Sequence, residues 1–217
     1  RRDWQEPEIK GARLIKAKAP ADLPVFILAY PTLRLTDPKN QQEVYALWVL
    51  ADVLAGKTGR LQTSLVQKGL ASGVGISYDP LTRGPSSFEL YCYNNTLGYP
   101  QAELDIIEQE VDAIIKEGIT LTELERTKTA IVAQRVYEQD EITSMAQGLG
   151  VYEMLGLGWQ AESTIYQGLS EVTTEQVQAV AKKYLLADKR TMALLEPQTL
   201  DDAAGKRPVV EGGRHVQ

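Results

Sequence analysis

Five short segments of the chain either alternate apolar and polar residues or are apolar throughout, over the length of a β-strand. The segments are 12–19 (ARLIKAKA), 23–31 (LPVFILAYP), 73–79 (GVGISYD), 86–94 (SSFELYCYN) and 190–197 (RTMALLEP). The intervening run PLTRGP, which joins the third segment to the fourth, has the proline and glycine residues of a turn. The pattern therefore predicts five strands, two of them paired through a short turn.

The strand 86–94 indicates which residues share a face of the predicted sheet. Because side chains alternate along a strand, Phe88, Leu90 and Cys92 lie on one face, and we expect this face to cover the core. Cys92 is then a small buried apolar side chain rather than a reactive thiol. The opposite face carries Glu89, Tyr91 and Tyr93. These three residues are expected either to pack across strands under helices or to line a binding surface on the sheet.

Apolar residues that recur every three or four positions predict helices in the rest of the chain. In NQQEVYALWVLADVLAG, one helical stripe contains Val44, Leu47, Trp48, Ala51 and Leu54. Gly56 follows this stripe, where a glycine commonly ends a helix. Further helices are predicted over 60–69, 100–118, 122–139, 144–158, 160–172 and 175–186.

Two helix starts carry the pattern of a capping box, in which a threonine is followed three residues later by Glu or Gln. Thr122 with Glu125 is the predicted box of the long helix that ends near Gln139. Thr173 with Gln176 is the predicted box of the last helix. Each cap residue typically contributes about 1 kcal/mol to the stability of its helix.

The order of the predicted elements indicates an α+β fold with a mostly antiparallel sheet and helices packed on one face. Adjacent strands joined by short turns are expected to pair with each other. We predict an extended N-terminal segment (1–11), a single domain (12–199) and a flexible, polar, glycine-rich tail (200–217). The chain starts with Arg1 rather than Met and shows no export signal of its own, so we expect it to be a piece of a longer product.

Residues 51–58 (ADVLAGKT) match the relaxed pattern of a phosphate-binding P-loop. In a true P-loop these residues form a glycine-rich turn, and a helix begins directly after it. Here residues 52–55 are helix formers that end a predicted helix, so a phosphate would face the negative end of the helix dipole. We therefore expect no nucleotide site.

Composition limits the partners that the chain can bind. Its 217 residues have a formal net charge of -6, which leaves no broad basic surface for nucleic acid or anionic membrane. No apolar run approaches the roughly 20 residues that a membrane-spanning helix needs. Its single cysteine excludes an internal disulfide and leaves the compartment open.

The chain lacks the residue types of most catalytic sites. His215 is the only histidine and lies in the predicted tail, so neither a Ser-His-Asp triad nor a histidine zinc site can be assembled. We predict no catalytic residue and no metal ligand. Two carboxylate pairs on predicted helices are expected to form solvated faces: Glu108 with Asp112, and Glu138 with Glu141.

Four stretches, in this order, resemble the C-terminal, non-catalytic half of bacterial zinc metallopeptidases of the M16 class, relatives of pitrilysin, insulin-degrading enzyme and the mitochondrial processing peptidases. The stretches are LPVFILAYPT, VLADVLAGKTGRLQTSLVQKGLA, GITLTELERTKTAIVAQ and VTTEQVQAVAKKYLLADKRTMALLEP. The resemblance covers residues 23–197. It implies the LuxS/processing-peptidase-like metallohydrolase fold.

In this family two homologous halves close over an extended peptide, and the first half supplies the zinc motif His-x-x-Glu-His. The resemblance implies that this chain is the substrate-enclosing half, inactive alone, and that zinc is bound by a catalytic half that this chain lacks. It also implies an extended peptide as the second partner, held as an added strand at a sheet edge.

Many members have an arginine and a tyrosine in the second half that hold the substrate backbone. The matching stretch here is LVQKGLAS, which has Val66 at the arginine position and Ser72 at the tyrosine position. Both donors are therefore replaced, and Lys68 could substitute in part or be a solvated lysine. These three residues are the candidates for facing the substrate. Three further positions are expected to be structural: Gly56, Arg60 and Gly69.

The replaced donors keep a second function open, that of a non-enzymatic scaffold or chaperone-like subunit derived from such peptidases. The catalytic half is expected either in the same polypeptide or as a separate subunit. The resemblance favours the periplasm over the cytosol.

Overall fold

The computed structural model describes residues 11–35, 40–139, 141–198 and 209–211, without the side chains of 135–139 and 209–211. His215 and nearly all of the predicted N-terminal segment lie outside these residues.

The described residues form six strands and six helices. The strands are β1 (Arg13–Pro20), β2 (Val25–Thr32), β3 (Ala71–Tyr78), β4 (Ser86–Asn94), β5 (Thr191–Gln198) and β6 (Val209–Glu211). The helices are α1 (Gln41–Ala55), α2 (Gln101–Glu117), α3 (Leu121–Gln139), α4 (Ile142–Leu155), α5 (Ala161–Ser170) and α6 (Thr174–Tyr184). A single π-helical turn, Gln62–Val66, replaces the helix predicted over 60–69.

All six strands form one sheet in the order β3-β4-β2-β5-β1-β6. Four of the five neighbouring pairs are antiparallel, and the pair of β1 with β5 is parallel. The predicted α+β class with a mostly antiparallel sheet is therefore confirmed.

The expectation that strands joined by short turns pair with each other is right for β3 with β4 but wrong for β1 with β2. Strand β5 lies between β1 and β2 and pairs with both. A physical reason is that β5 buries Met192 and Leu194, whereas β1 carries Lys16 and Lys18, which reach Glu196 of β5 at 3.6 and 3.8 Å. An apolar strand favours the interior of the sheet, and lysines favour a place near its edge.

The hydrophobic core lies between one face of the sheet and the helices. Phe88, Leu90 and Cys92 of β4 are buried on this inner face, as their alternation predicted. Helix α1 packs centrally in the helix layer and contacts β3, α3, α5 and α6. The helices therefore cover one face of the sheet, and the described residues leave its other face uncovered.

Helix α1 ends where the sequence predicted, but the role of Gly56 differs from the expected one. Its φ of -58° is not left-handed; instead its N–H donates to the carbonyl oxygen of Asp52 at 2.8 Å. A Cβ at this position would overlap with the Asp52 side chain and carbonyl. Because α1 continues through Ala55, the residues before Gly56 form no phosphate-binding turn, in agreement with the rejection of a P-loop.

The capping box predicted for α3 from Thr122 and Glu125 is wrong by two residues. Thr120 and Glu123 form it instead: the Glu123 N–H donates to Thr120 Oγ1 at 3.2 Å, and the Thr120 N–H donates to Glu123 Oε2 at 2.9 Å. Both pairs have the same spacing, but Glu123 also accepts two hydrogen bonds from Arg60, which lies far from it along the chain. The box of α6, from Thr173 and Gln176, is confirmed.

The carboxylates predicted to form a solvated face on α2 are engaged in ion pairs. Glu108 Oε1 lies 2.6 Å from Arg190 Nη2, at the start of β5, so it ties α2 to the sheet. Asp112 pairs with Lys116 on the same helix at 3.1 Å. Glu108 and Asp112 are both exposed, as the predicted solvated face requires; what the sequence did not predict is the partner of Glu108, which is distant along the chain. The side chain of Glu138 lies outside the described residues.

Part of the predicted flexible tail is a strand. Val209–Glu211 pairs with β1 as the last strand of the sheet, with Ala17 opposite Val210. The rest of the tail lies outside the described residues.

Gly168 gives a test of the packing between α5 and α1. A Cβ there would overlap with the ring of Tyr45, which is buried and cannot swing out. We expect Gly168→Ala to lower the free energy of unfolding by about 1–3 kcal/mol, as overpacked cores do. Urea denaturation followed by circular dichroism measures this change.

Gly150→Ala in α4 is the matched control, because nothing lies within 4 Å of its added Cβ. It should leave stability unchanged or raise it by up to about 1 kcal/mol through helix propensity. Equal stability of the two variants would contradict the packing described for Gly168.

Candidate functional site

The segment from Val66 to Ser72 leads from the helix layer into β3, the strand at one end of the sheet. Strand β3 pairs with β4 on one side, and its other edge has no partner among the described residues. Backbone N–H and C=O groups on that side have no strand partner and can pair with another extended chain, although the Val74 carbonyl oxygen of β3 already accepts from Gln62 Nε2 at 3.0 Å.

The segment from Val66 to Ser72 is held by hydrogen bonds to the preceding π-helical turn and from Asn95, which follows β4. The Leu70 N–H donates to the Leu65 carbonyl oxygen at 3.0 Å, and Asn95 Nδ2 donates to the Gly69 carbonyl oxygen at 2.7 Å. Gly69 has a φ of 73°, in the left-handed region that favours glycine. This geometry supports the structural role predicted for Gly69.

Ser72 lies at an irregularity in β3, where the pairing register with β4 shifts between Ala71 and Gly73. Its side chain is exposed, and Ser72 Oγ donates to the carbonyl oxygen of Tyr93 at 3.3 Å. The hydroxyl of Ser72 is therefore already hydrogen-bonded to β4, and its side chain remains exposed to solvent.

Val66 and Lys68 face different surroundings from those of Ser72. Val66 is half-buried and packs against the hydrophobic core, so only part of it can face a ligand. Lys68 is exposed and lines a cleft of about 430 Å³ together with Arg60, Glu110 and Glu123. Neither Ser72 nor Val66 lines this cleft. The structure therefore does not bring the three candidates into one pocket.

Arg60 anchors the segment to the start of α3. Its Nε donates to Glu123 Oε1 at 2.7 Å, and its Nη2 donates to Glu123 Oε2 at 3.0 Å, so the carboxylate is held at both oxygens. The hydrogen bond from Arg60 is the main reason why the pKa of Glu123 falls to about 2. A structural role was predicted for Arg60 but not for its partner Glu123, although Glu123 follows Thr120 at the spacing of a capping box.

The outer face of the sheet beside β3 carries two tyrosines. The rings of Tyr91 and Tyr93 meet edge to face, with centroids 5.9 Å apart. Tyr91 lies across Gly75, where a Cβ would overlap with its ring, and Tyr93 lies beside Gly73. These tyrosines do not pack under helices, because they are on the face opposite the helix layer. They form an aromatic ledge next to the open edge.

Within the part of the chain that the structure describes, no three His, Cys, Asp or Glu residues come close enough together to hold a metal ion. The residues present therefore do not fit a zinc site, and no zinc-dependent step is assigned to them. None of the described helices is both long and apolar enough to cross a bilayer.

Residues 2–131, more than half of the chain, match the family model described as the peptidase M16 inactive domain. No curated protein sequence matches the chain significantly.

Solved structures with the same fold include a protease from Helicobacter pylori, with 22% identity and a TM-score of 0.79 over 89% of this chain. A proposed zinc protease from Bordetella pertussis has 18% identity and a TM-score of 0.69 over 85% of this chain. The periplasmic protease PqqL from Escherichia coli has 17% identity and a TM-score of 0.64 over 88% of this chain. The chain spans 46%, 99% and 21% of these three chains, respectively.

Replacement of Glu123 tests the anchoring of this segment. We expect Glu123→Gln to lower the free energy of unfolding at neutral pH by about 1–3 kcal/mol, because it removes a charged acceptor from Arg60. The folded-state pKa of about 2 is below the ordinary value of 4.5, so the carboxylate stabilises the fold above that ordinary value. The difference between wild type and variant should therefore shrink as the pH falls from about 5 to about 2, in urea titrations at several pH values.

Glu125→Gln is the control, two residues further along the same helix. Glu125 is exposed and meets Lys128 at 3.6 Å, so its replacement should change stability by less than about 1 kcal/mol. A loss for Glu123→Gln that does not depend on pH would argue against the proposed ion pair.

Proposed function

Because the chain belongs to the family of M16 peptidase inactive domains, we propose that it is the substrate-enclosing, non-catalytic half of a two-domain zinc metallopeptidase. The observation that carries the proposal is the match of residues 2–131 to the inactive-domain model. The length of the relatives supports it, since the chain spans 46% of the Helicobacter pylori protease and so leaves room for a second half of similar size.

In this proposal the catalytic half carries the His-x-x-Glu-His motif and binds the zinc ion. That half is either part of the same polypeptide or a separate subunit. This chain contributes a wall that excludes water from the reacting peptide and a surface that holds the peptide extended.

The open edge of β3 is the proposed peptide-binding surface. An extended peptide would add as a further strand, with its backbone N–H and C=O groups paired to those of β3. Strand β3 has eight residues and spans about 26 Å, which is enough for a peptide of similar length. The ledge of Tyr91 and Tyr93 borders this edge and offers aromatic surface to apolar side chains of the peptide.

The candidate residues differ in whether they could contact the bound peptide. Ser72 is exposed on β3 itself, so it is the best placed of them to contact an added strand. Val66 packs on the core and supplies no polar donor. In the absence of the arginine and tyrosine of the family, stabilisation of the oxyanion falls to the catalytic half, where one well-placed donor is typically worth about 3 kcal/mol.

A scaffold or chaperone-like subunit is the second candidate function, favoured by the replacement of both donors by Val66 and Ser72. In that case the assembled protein binds extended peptides at the same edge but does not cleave them. The two functions therefore differ in cleavage and not in peptide binding.

We also propose that the protein works in the periplasm. The structural similarity to the periplasmic protease PqqL supports this compartment.

The decisive experiment compares this chain with the full-length product that contains it. Zinc content by plasma mass spectrometry and cleavage of a fluorogenic peptide library are measured for both. We expect the chain alone to hold no zinc and to be inert, and the full-length product to bind zinc and cleave. A full-length product that binds peptide without cleavage would favour the scaffold, and cleavage by the chain alone would refute the proposal.

Hydrogen exchange tests the proposed edge separately. In the full-length product, with zinc removed to prevent cleavage, a bound peptide should slow amide exchange in residues 71–78 but not in 13–20. A peptide of the same sequence with alternate N-methylated amides is the control, because it cannot form the ladder of backbone bonds. Protection elsewhere, or equal protection by both peptides, would exclude strand addition at β3.

A further inference from the structure

The helix layer contains a cleft between α1, α3 and α5, three helices that contact one another. The cleft has a volume of about 540 Å³, within the range of roughly 300–1,000 Å³ for small-molecule sites. Along α3 it extends from Arg126 to Gln134, which is about 12 Å. Lys57 and Thr58 also line it, so it includes the end of the segment that matches the P-loop pattern. The proposed function makes no use of this cleft.

One part of the cleft is apolar. Trp48 of α1, Tyr166 and Leu169 of α5, and Ile131 of α3 line it, together with the small side chain of Ala130. Trp48, Ile131 and Tyr166 are only partly buried where they pack against the core, so part of each side chain remains accessible. This lining suits a large apolar side chain of a ligand.

The other part of the cleft carries two opposite charges, Asp52 in the last turn of α1 and Arg126 on α3. Burial raises the pKa of the Asp52 carboxyl above its ordinary value, and the nearby Arg126 offsets only part of this effect. In the part of the chain that the structure describes, neither side chain forms an ion pair or a hydrogen bond. A ligand that carries both charges would therefore give each of them a partner.

The surroundings of the two residues indicate which charge of a ligand would lie where. Asp52 lies at the end of α1, where the helix dipole is negative, so this place favours a cation. Lys57 is exposed and lines the cleft with Arg126, so these two residues favour a carboxylate. Arg126 also lines the neighbouring cleft, but Glu123 there is already held by Arg60 at both carboxylate oxygens.

We infer that the cleft binds a small zwitterion with a large apolar side chain, the chemistry of an apolar α-amino acid or a short apolar peptide. Its ammonium group pairs with Asp52, its carboxylate pairs with Arg126, and its side chain packs on Trp48 and Ile131. The inference concerns this chain alone and does not depend on the proposed function. A domain of this extent folds alone, since 99% of the solved Bordetella pertussis chain is covered by it.

Isothermal titration calorimetry of the 217-residue chain with four ligands tests the inference. Phenylalanine and the dipeptide alanyl-phenylalanine are the zwitterions, and we expect the better of them to bind with a Kd below about 1 mM. N-acetylphenylalanine lacks the ammonium group, and phenylalanine amide lacks the carboxylate. Each of these two should bind about tenfold more weakly than phenylalanine, because one charged residue of the cleft is left unpaired.

The two zwitterions also distinguish the source of the ligand. Tighter binding of alanyl-phenylalanine would identify short peptides, and tighter binding of phenylalanine would identify free amino acids. Both results support the inference, because the two ligands share the same pair of charges.

Two variants assign the charges to their residues. Asp52→Asn should weaken the binding of phenylalanine about tenfold but leave that of N-acetylphenylalanine unchanged, since this ligand has no ammonium group to lose a partner. Arg126→Gln should weaken phenylalanine to the same extent and leave phenylalanine amide unchanged. Asp112→Asn is the control, because it removes an exposed carboxylate of α2 that does not line the cleft. Circular dichroism and the melting temperature check that each variant is folded.

Several results would overturn the inference. One is the absence of saturable binding of both zwitterions below about 10 mM. Another is equal affinity for phenylalanine and its two singly charged derivatives, which needs only the wild-type chain and so does not depend on the folding of a variant. A third is a loss of phenylalanine binding in Asp112→Asn as large as that in Asp52→Asn.

Discussion

The packing of α1 against the inner face of the sheet is the interaction on which the rest of the structure depends. Leu47, Leu50 and Leu54 of this helix are fully buried, and each such side chain contributes about 2 kcal/mol when it leaves water. Helices α3, α5 and α6 pack on α1, and α2 packs on α6, so these helices all lie on the same face of the sheet. One-sided packing leaves two surfaces uncovered, the outer face of the sheet and the edge of β3. The proposed peptide-binding surface, the edge of β3, is one of these two surfaces.

The connection from α1 to β3 fixes the position of the open edge of β3 relative to the helix layer. Gln62 Nε2 donates to the Val74 carbonyl oxygen at 3.0 Å, and the bidentate pair of Arg60 with Glu123 fixes the same connection to α3. Residues four positions apart therefore have different surroundings: Lys68 lines a charged cleft, whereas Ser72 lies on the edge strand.

The uncovered surfaces agree with a domain that works as part of a larger assembly. An isolated domain rarely leaves an apolar sheet face open, because such a face favours association. The chain belongs to the family of M16 inactive domains, and it spans 46% of one solved relative, the Helicobacter pylori protease. Backbone pairing at the edge of β3 suits an extended peptide, whereas an apolar sheet face favours hydrophobic contact.

The sequence by itself determined the family, the fold class and the approximate bounds of nearly every element, because apolar periodicity and capping patterns are local. It also showed that the fold would have one covered sheet face, from the alternation at Phe88, Leu90 and Cys92. Tertiary structure alone decided the insertion of β5 between β1 and β2, the start of α3 at Thr120 and the partners of Glu108 and Glu123. These features depend on residues far apart along the chain, whose contacts choose between local patterns of equal quality.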